Sequence, residues 1–334
     1  MLVVVKNIGT NIILMGLLLS VATACSKHAQ SNNVVVNPPS DTTQGNVQNC
    51  TKCIILAEQL QQRVAIADVN LQKIIWEWKP ELSNVKPEHL AWFSDVSDAK
   101  LVYNGKYLLA TASGGGVALI RIADRKTVFY AYAGGNTHSA EILPDGNIVS
   151  ASSTGNYLTI FKVDTTLNPA AVYSKNIATE FGHNVVWDNK HQVLWSAAMN
   201  KLKSYRYNFN CTQPDLTLLE TISIPGTEAH DLFPVYGTDS LWLTNTTNVY
   251  VFDTDTKQLV LANTPQEDIK SISSGPTGFP VIISHPKEQW WTDEIPDISG
   301  KSIFKQSGLK IYKARWLIVN TFSYPAGDSI KQCR

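Results

Sequence analysis

The 334-residue sequence has few charged residues and no excess of either sign. Asp, Glu, Lys and Arg make up 17% of it, with 28 acidic against 28 basic residues. A protein that binds nucleic acid needs a basic excess to neutralise phosphates, so this balance argues against a nucleic-acid partner. Helix signals are also missing after residue 53. Short apolar runs instead alternate with turn residues about every ten positions, which is typical of an all-β protein.

Residues 1–24 have the features of a cleaved secretory signal peptide. They contain a single Lys, an apolar run over residues 12–19, and small residues before Cys25. The stretch "ATAC" resembles a bacterial lipobox, although Ala22 stands where Leu is usual, and this resemblance implies diacylation of Cys25. Residues 25–49 are polar and rich in Asn, Ser and Pro, so they predict a flexible tether. The folded domain is then 50–334, and an ordinary secreted protein is the alternative.

The lipobox predicts a protein held in the bacterial cell envelope, in the outer membrane, with only its lipid in the bilayer. The tether has no acidic residue before Asp41. In lipoproteins of Bacteroidota, an acidic cluster directly after the lipidated cysteine often marks surface export. If the source is such a bacterium, the absence of this cluster favours a periplasm-facing protein.

Four cysteines remain once Cys25 is lipidated: Cys50, Cys53, Cys211 and Cys333. Disulfides are expected in an oxidising compartment, and a bond from Cys50 or Cys53 to Cys333 would join the two ends of the domain. The stretch "NCTKC" is alternatively half of a zinc site, although the second CxxC that such a site needs is missing.

A pattern of two strands around a turn recurs along the chain. It is found at residues 53–70, 107–126, 147–166, 193–208 and 240–257, with a sixth unit over about 268–318. A repeat of roughly 40–50 residues with three or four strands is typical of a propeller blade. The sequence therefore predicts a six-bladed β-propeller, with seven blades left open. The first unit lacks a strand before Ile54, which the C-terminal stretch is expected to supply.

Histidine heads three consecutive units. His138, His183 and His230 lie ten or eleven residues before a strand residue that aligns between units, and Lys270 and Ser97 hold this position in two others. The innermost strand of every blade begins at the same rim, so these side chains should surround the mouth of the central channel.

The longest insertion in the repeats, "HPKEQWWTDEIPDIS" at 285–299, should overhang the same mouth. It carries His285, Trp290 and Trp291. Arg315 should approach this mouth as well if "LKIYKAR" is an outgoing outer strand.

Two readings of the histidines stay open. Three neutral imidazoles can hold one divalent metal and leave positions for a ligand, whereas a Gly-His pair such as Gly182-His183 is structural in WD-repeat propellers. In the first reading His138, His183 and His230 bind metal and substrate, and Trp290 and Trp291 stack on sugar rings. Lys270, Arg315 and His285 are then the catalytic candidates: the cations neutralise the carboxylate of an acidic sugar, and Lys or His removes the adjacent proton.

The runs "HSAEILPDGNIVSASSTGN", "GHNVVWDNKHQVLW" and "YKARW" resemble those of an uncharacterised family of six-bladed propeller lipoproteins from Bacteroidota. More distantly, the histidines look like those of oligogalacturonate lyases, which hold a divalent metal with three His and one Gln. Only His138, His183 and His230 carry over, and no Gln is identifiable. The resemblance implies a metal-assisted lyase acting on uronate-containing glycans. The alternatives are a propeller that binds a glycan or protein without catalysis, and a scaffold.

Overall fold

Strands dominate because β-branched and aromatic residues come in short runs separated by Gly, Asn and Asp. The computed structural model describes residues 47–262, 264, 267–325, 330, 331 and 333. The strands are, in chain order, β1 Cys53–Glu58, β2 Arg63–Asp68, β3 Lys73–Trp78, β4 Val96–Val102, β5 Tyr107–Ala112, β6 Gly116–Arg121, β7 Thr127–Tyr132, β8 Thr137–Ile142, β9 Ile148–Ser152, β10 Tyr157–Phe161, β11 Ser174–Ala178, β12 Gly182–Asp188, β13 Val193–Ala198, β14 Lys201–Tyr207, β15 Leu216–Ser223, β16 Asp231–Pro234, β17 Ser240–Thr244, β18 Val249–Asp253, β19 Leu259–Leu261, β20 Ser271–Ser273, β21 Ile282–Ser284, β22 Glu294–Pro296, β23 Ser302–Lys305 and β24 Ile311–Trp316.

Helical structure is limited to short 3-10 turns in the described part of the chain. They span Val47–Asn49, Pro80–Leu82, Pro87–Phe93 and Pro169–Ala171. None of the described helices is long and apolar enough to span a bilayer. The predicted signal peptide, the lipidation site Cys25 and the tether up to residue 46 lie outside the described residues, while the last tether residues form the first 3-10 turn.

The strands form five four-stranded antiparallel sheets and two two-stranded ones. The strand orders are β24-β1-β2-β3, β4-β5-β6-β7, β11-β10-β9-β8, β12-β13-β14-β15, β16-β17-β18-β19, β20-β21 and β22-β23. Six innermost strands contact one another in a closed ring around the axis, in the order β24, β4, β8, β12, β16 and β20. The all-β propeller is therefore confirmed.

The predicted number of blades is wrong, because only five four-stranded blades are present in the described chain. The residues assigned to a sixth blade form the pairs β20-β21 and β22-β23, which are linked through an isolated bridge between Ile282 and Asp297. Proline explains the short strands: Pro280 precedes β21 and Pro296 ends β22, and proline cannot donate to a ladder. The last strand counted into that blade, β24, belongs to the first sheet instead.

The C-terminal stretch closes the ring, as the missing first strand predicted. Strand β24 pairs with β1 in antiparallel register, with Ile54 opposite Trp316. The predicted disulfide between the two ends of the domain is wrong. Cys50 bonds to Cys53, which also excludes a zinc half-site in this state, and Cys211 bonds to Cys333. Connectivity is not encoded in cysteine spacing.

The apolar core lies in layers between neighbouring sheets. One layer joins Val149 and Leu158 of the third sheet to Trp187 and Tyr205 of the fourth, all of them buried. Burying a large apolar side chain stabilises a fold by about 1.5–3 kcal/mol. These layers hold the sheets in place, and with them the starts of the innermost strands.

Candidate functional site

Three of the innermost strands begin with a β-bulge at the channel mouth. The pairing register shifts between Val96 and Asp98 in β4, between Thr137 and Ser139 in β8, and between Gly182 and Asn184 in β12. The extra residues are Ser97, His138 and His183, the positions that the repeat marks as strand heads. A bulge re-aims a side chain and leaves its residue out of the ladder. The strand heads can therefore point away from their sheets.

The structure brings the three predicted histidines into contact. The ring centroids of His138 and His183 lie 4.0 Å apart with their planes inclined by 16°, so these rings are stacked. The centroids of His183 and His230 lie 5.4 Å apart at 80°, an edge-on contact. All three side chains are buried. The mouth is thus a cluster of imidazoles supplied by three separate sheets.

Lys270 and Tyr312 extend this cluster on its two sides. The Nζ atom of Lys270 lies 3.0 Å from Nε2 of His230 and 2.6 Å from Oδ1 of Asp268. The hydroxyl of Tyr312 lies 3.4 Å from Nδ1 of His138. Because Lys270 is paired with a carboxylate, it adds little net positive charge to the mouth.

His183 stands out because neither of its ring nitrogens has a hydrogen-bond partner among the described residues. Its side chain is only 3% exposed. A buried polar group without a partner costs about 1–3 kcal/mol, so native proteins rarely leave one unless a site requires it. The Nδ1 atom of His230 is likewise buried without a partner in the described structure. The mouth therefore offers unused hydrogen-bonding capacity.

All three imidazoles are biased towards the neutral form. Burial lowers the pKa of His138 well below the ordinary histidine value, and the charge of Lys313 adds to this effect. Burial, together with the neighbouring His138, does the same for the pKa of His183. Burial also lowers the pKa of His230, although its contact with Asp268 opposes the shift. At neutral pH each ring thus offers one donor and one acceptor.

Lowered histidine pKa values predict that acidification destabilises the fold. Below about pH 6.5 the unfolded chain binds protons that the folded mouth rejects, so each such histidine removes up to about 1.4 kcal/mol of stability per pH unit. Above that pH the contribution is fully present. Replacing His183→Leu should reduce the slope of unfolding free energy against pH between about pH 6 and 5, as measured by urea unfolding. Ser139→Ala, a change beside His138 that does not titrate, should leave the slope unchanged. Equal slopes in the wild type and in His183→Leu would contradict a lowered pKa of His183 in the folded protein.

Below the histidines the channel is filled by a buried ion-pair network centred on Arg315. Its Nε donates to Asp98 at 3.0 Å and its Nη2 donates to Asp231 at 2.7 Å. Lys313 lies beside it, with Nζ 3.3 Å from Oδ1 of Asp231 and 3.2 Å from Oδ1 of Asn184. Burial alone would raise the pKa of both aspartates, but Arg315 and Lys313 together lower it. The charged groups of this network are therefore paired with one another.

The expected position of Arg315 is therefore wrong. Strand β24 is the innermost strand of the first sheet and not an outgoing outer strand. Arg315 is consequently 1% exposed inside the channel, and its guanidinium is already paired with the carboxylates of Asp98 and Asp231.

Sequence reasoning missed the network, although the repeat contains a signal for it. The residue after each strand head is polar in every unit: Asp98, Ser139, Asn184, Asp231, Ser271 and, after Tyr312, Lys313. Side chains alternate in a regular strand, so two consecutive inward-facing positions are not expected without the bulges.

The tryptophan pair lies at the same end of the propeller as the histidines. Both indole nitrogens donate to Oε1 of Gln59, at 3.0 Å from Trp290 and 2.7 Å from Trp291. Gln59 also donates to the carbonyl of Val96, at the start of β4 and hence at the rim. Trp290 is 48% exposed. The pair is therefore an oriented aromatic surface beside the mouth.

His285 also lies at the rim. It follows Ser284, the last residue of β21, whose carbonyl accepts a hydrogen bond from the backbone N–H of Lys270 at 2.8 Å. It is partly buried. This backbone pairing places His285 beside Lys270 and outside the stack of His138 and His183.

The geometry of the imidazoles bears on the predicted metal. The lone pairs of ring nitrogens lie in the ring plane, so the stacked rings of His138 and His183 do not direct them at one point. Among the described residues, the group whose ligand atoms lie close enough for one ion is Cys50, Cys53 and Asp68, and its cysteines are disulfide-bonded. A three-histidine metal site would require a ring to turn, and it stays a prediction.

Solved structures similar to this chain are β-propellers or are of unknown function. A protein of unknown function from Bacteroides caccae has 14% identity and a TM-score of 0.53, covering 79% of this chain and 98% of its own. The β-propeller domain of Cps50 (Swd1) from Myceliophteria thermophila has 14% identity and a TM-score of 0.51, covering 78% and 86%. At this identity the likeness shows the fold alone.

The search of curated proteins gave no match. A family model described as a family of unknown function (DUF6528) matches residues 7–331, nearly the whole sequence. The chain, a β-propeller, therefore belongs to this family of unknown function.

Proposed function

We propose that the protein binds carbohydrate at the channel mouth. The observation that carries the proposal is His183, a buried imidazole without a hydrogen-bond partner for either nitrogen in the described structure, between His138 and His230. Sugar hydroxyls both donate and accept hydrogen bonds, which suits neutral imidazoles that offer one group of each kind. A bound sugar would supply the missing partners.

The tryptophan pair supports this choice of ligand. Trp290 and Trp291 are fixed by their shared bond to Gln59 and lie at the same rim, with Trp290 half exposed. Large aromatic rings that keep a polar handle are favoured at binding surfaces, and a sugar ring can stack its apolar face on them.

A metal-assisted lyase acting on uronates is less well supported and stays a prediction. Arg315 is engaged by two aspartates, and Lys270 is held by Asp268 and His230. Neither cation is left over for a substrate carboxylate, and the stacked imidazoles do not converge on one metal position. Non-catalytic binding requires none of these groups to be released.

A glycan microarray probed with the purified protein tests the proposal. We expect retention of a defined class of saccharides, measured with and without added divalent metal. Absence of retention under both conditions would contradict the proposed function. A retained uronate-containing glycan could also be cleaved to an unsaturated product, which is detected by its ultraviolet absorbance. In that case lyase activity replaces non-catalytic binding as the proposed function.

We further propose that the protein is lipid-anchored through Cys25 in the cell envelope, facing the periplasm. The pairs Cys50–Cys53 and Cys211–Cys333 support this location, since disulfides persist in oxidising compartments. Cells fed labelled palmitate should label the protein, and Cys25→Ser should abolish the labelling. Cys211→Ser, which breaks a disulfide without touching the lipobox, is the control and should keep the label. Equal labelling of wild type and Cys25→Ser would contradict the anchor.

A further inference from the structure

A cavity lies at the end of the propeller opposite the channel mouth. It has a volume of about 790 Å³ and lies between the first and second sheets. The connections β4–β5 and β6–β7 border it, and so does the chain that follows β24. Antiparallel strands return these connections to the face away from the strand heads. Its volume is in the range of small-molecule sites, about 300–1,000 Å³.

The cavity has a positively charged lining. Lys106, Arg121 and Arg125 are among its 14 lining residues, and none of the 14 is acidic. Arg121 is already paired with Asp124, with Nη2 at 2.6 Å from Oδ2. Arg125 differs, because its Nε atom is buried without a hydrogen-bond partner in the described part of the chain. A guanidinium in that state suits an acidic group.

Much of the remaining wall is apolar, although Gln48 and Tyr107 also line it. Leu101, Leu317 and Val319 line it together with Trp76. The indole of Trp76 is held in place because its Nε1 donates to the carbonyl of Ile122 at 2.9 Å. A ligand can therefore pack a hydrophobic body here while its acidic end meets the cations.

We propose that this cavity binds an organic anion with an apolar body, such as an aromatic or long-chain acid. The acidic group pairs with Arg125, and the body packs against Trp76, Leu317 and Val319. This site is separate from the channel mouth and does not depend on the proposed carbohydrate binding.

Two fluorescent probes with nearly the same aromatic body test this inference on the full-length protein. Anilinonaphthalene sulfonate is anionic, and N-phenylnaphthylamine is neutral. We expect saturable binding with about tenfold preference for the anion, and loss of that preference in Arg125→Gln. Lys126→Gln, a neighbouring exposed cation outside the cavity, should leave it unchanged. Equal binding of both probes, or an unaltered preference in Arg125→Gln, would overturn the proposal.

A second variant establishes where the probe binds. Ala123 lies at an exposed position on the cavity border, so Ala123→Trp should fill the space without disturbing the core. In the wild-type protein, dodecanoate should displace the anionic probe. We expect Ala123→Trp to abolish binding of this probe and to leave the unfolding midpoint unchanged. His183→Leu should leave this binding intact, which distinguishes it from the mouth. Binding that persists in Ala123→Trp would place the probe elsewhere and overturn the assignment.

Discussion

Replacing Asp231→Ala is expected to lower the free energy of unfolding by about 3–5 kcal/mol, because it leaves Arg315 buried without half of its counter-charge. Asp231 accepts hydrogen bonds from both Nη atoms of Arg315, at 2.9 and 2.7 Å, and from the backbone N–H of Ile272 at 3.0 Å. Lys313 lies within 3.3 Å of the same carboxylate. None of these groups has access to water that could replace the lost partner.

Urea unfolding of matched variants measures this effect. Asp239→Ala is the control, because Asp239 pairs with Lys190 at the surface, where both side chains are about half exposed. Exposed pairs contribute about 0–1 kcal/mol, so this variant should remain close to wild type. Asp231→Asn, which keeps the volume and can still accept from Ile272, should fall between the two. A loss in Asp231→Ala no larger than that in Asp239→Ala would contradict a structural role for the network.

His183→Leu is expected to weaken saccharide binding about 10- to 100-fold and to leave the free energy of unfolding unchanged or higher. Losing one or two hydrogen bonds to a ligand corresponds to about 1.4 kcal/mol for each tenfold change. Replacing a buried polar group that has no partner by an apolar one of similar size is neutral or stabilising. A structural histidine would behave in the opposite way, because its loss would destabilise the fold.

Calorimetric titration of the variants with the retained saccharide separates these cases. Trp290→Ala should weaken binding about tenfold through loss of stacking. Tyr236→Ala removes an aromatic ring that is 41% exposed on the opposite face, so it should bind like wild type. If His183→Leu binds normally but unfolds more easily, the imidazole is structural.

The repeat made the channel mouth predictable from sequence. Apolar strands separated by turns at a nearly constant period require radially stacked sheets, and equivalent positions in such sheets converge on one axis. His138, His183 and His230 share one position in their units, so their meeting required no knowledge of side-chain contacts. The same alignment placed Lys270 beside them.

The interior of the channel was not predictable, for two physical reasons. Bulges at Ser97, His138 and His183 break the alternation from which strand faces are read. Strand β24 joins a sheet whose other strands lie some 250 positions earlier in the chain, as the pairing of Ile54 with Trp316 shows. The gap before Ile54 predicts that a C-terminal strand fills it but does not identify β24 as that strand, so the run that contains Arg315 also fits an outer strand.

The predicted number of blades and the predicted disulfide are wrong for related reasons. Residues 268–305 have the apolar runs of a blade, but their strands are only three or four residues long. A count of runs does not reveal whether the strands join into one sheet. Cysteine spacing likewise left the partner of Cys333 open, and that partner is Cys211.

The proposed function requires a ligand at the channel mouth to bind the ring of His183, whose two nitrogens have no hydrogen-bond partner in the described structure. Histidine-selective nitrogen NMR detects such binding, with the His183 signals identified by their loss in His183→Leu. We expect a neutral ring at pH 7 whose nitrogen signals move when the retained saccharide is added, while those of the surface residue His191 do not move. Unmoved His183 signals at saturating saccharide would contradict it.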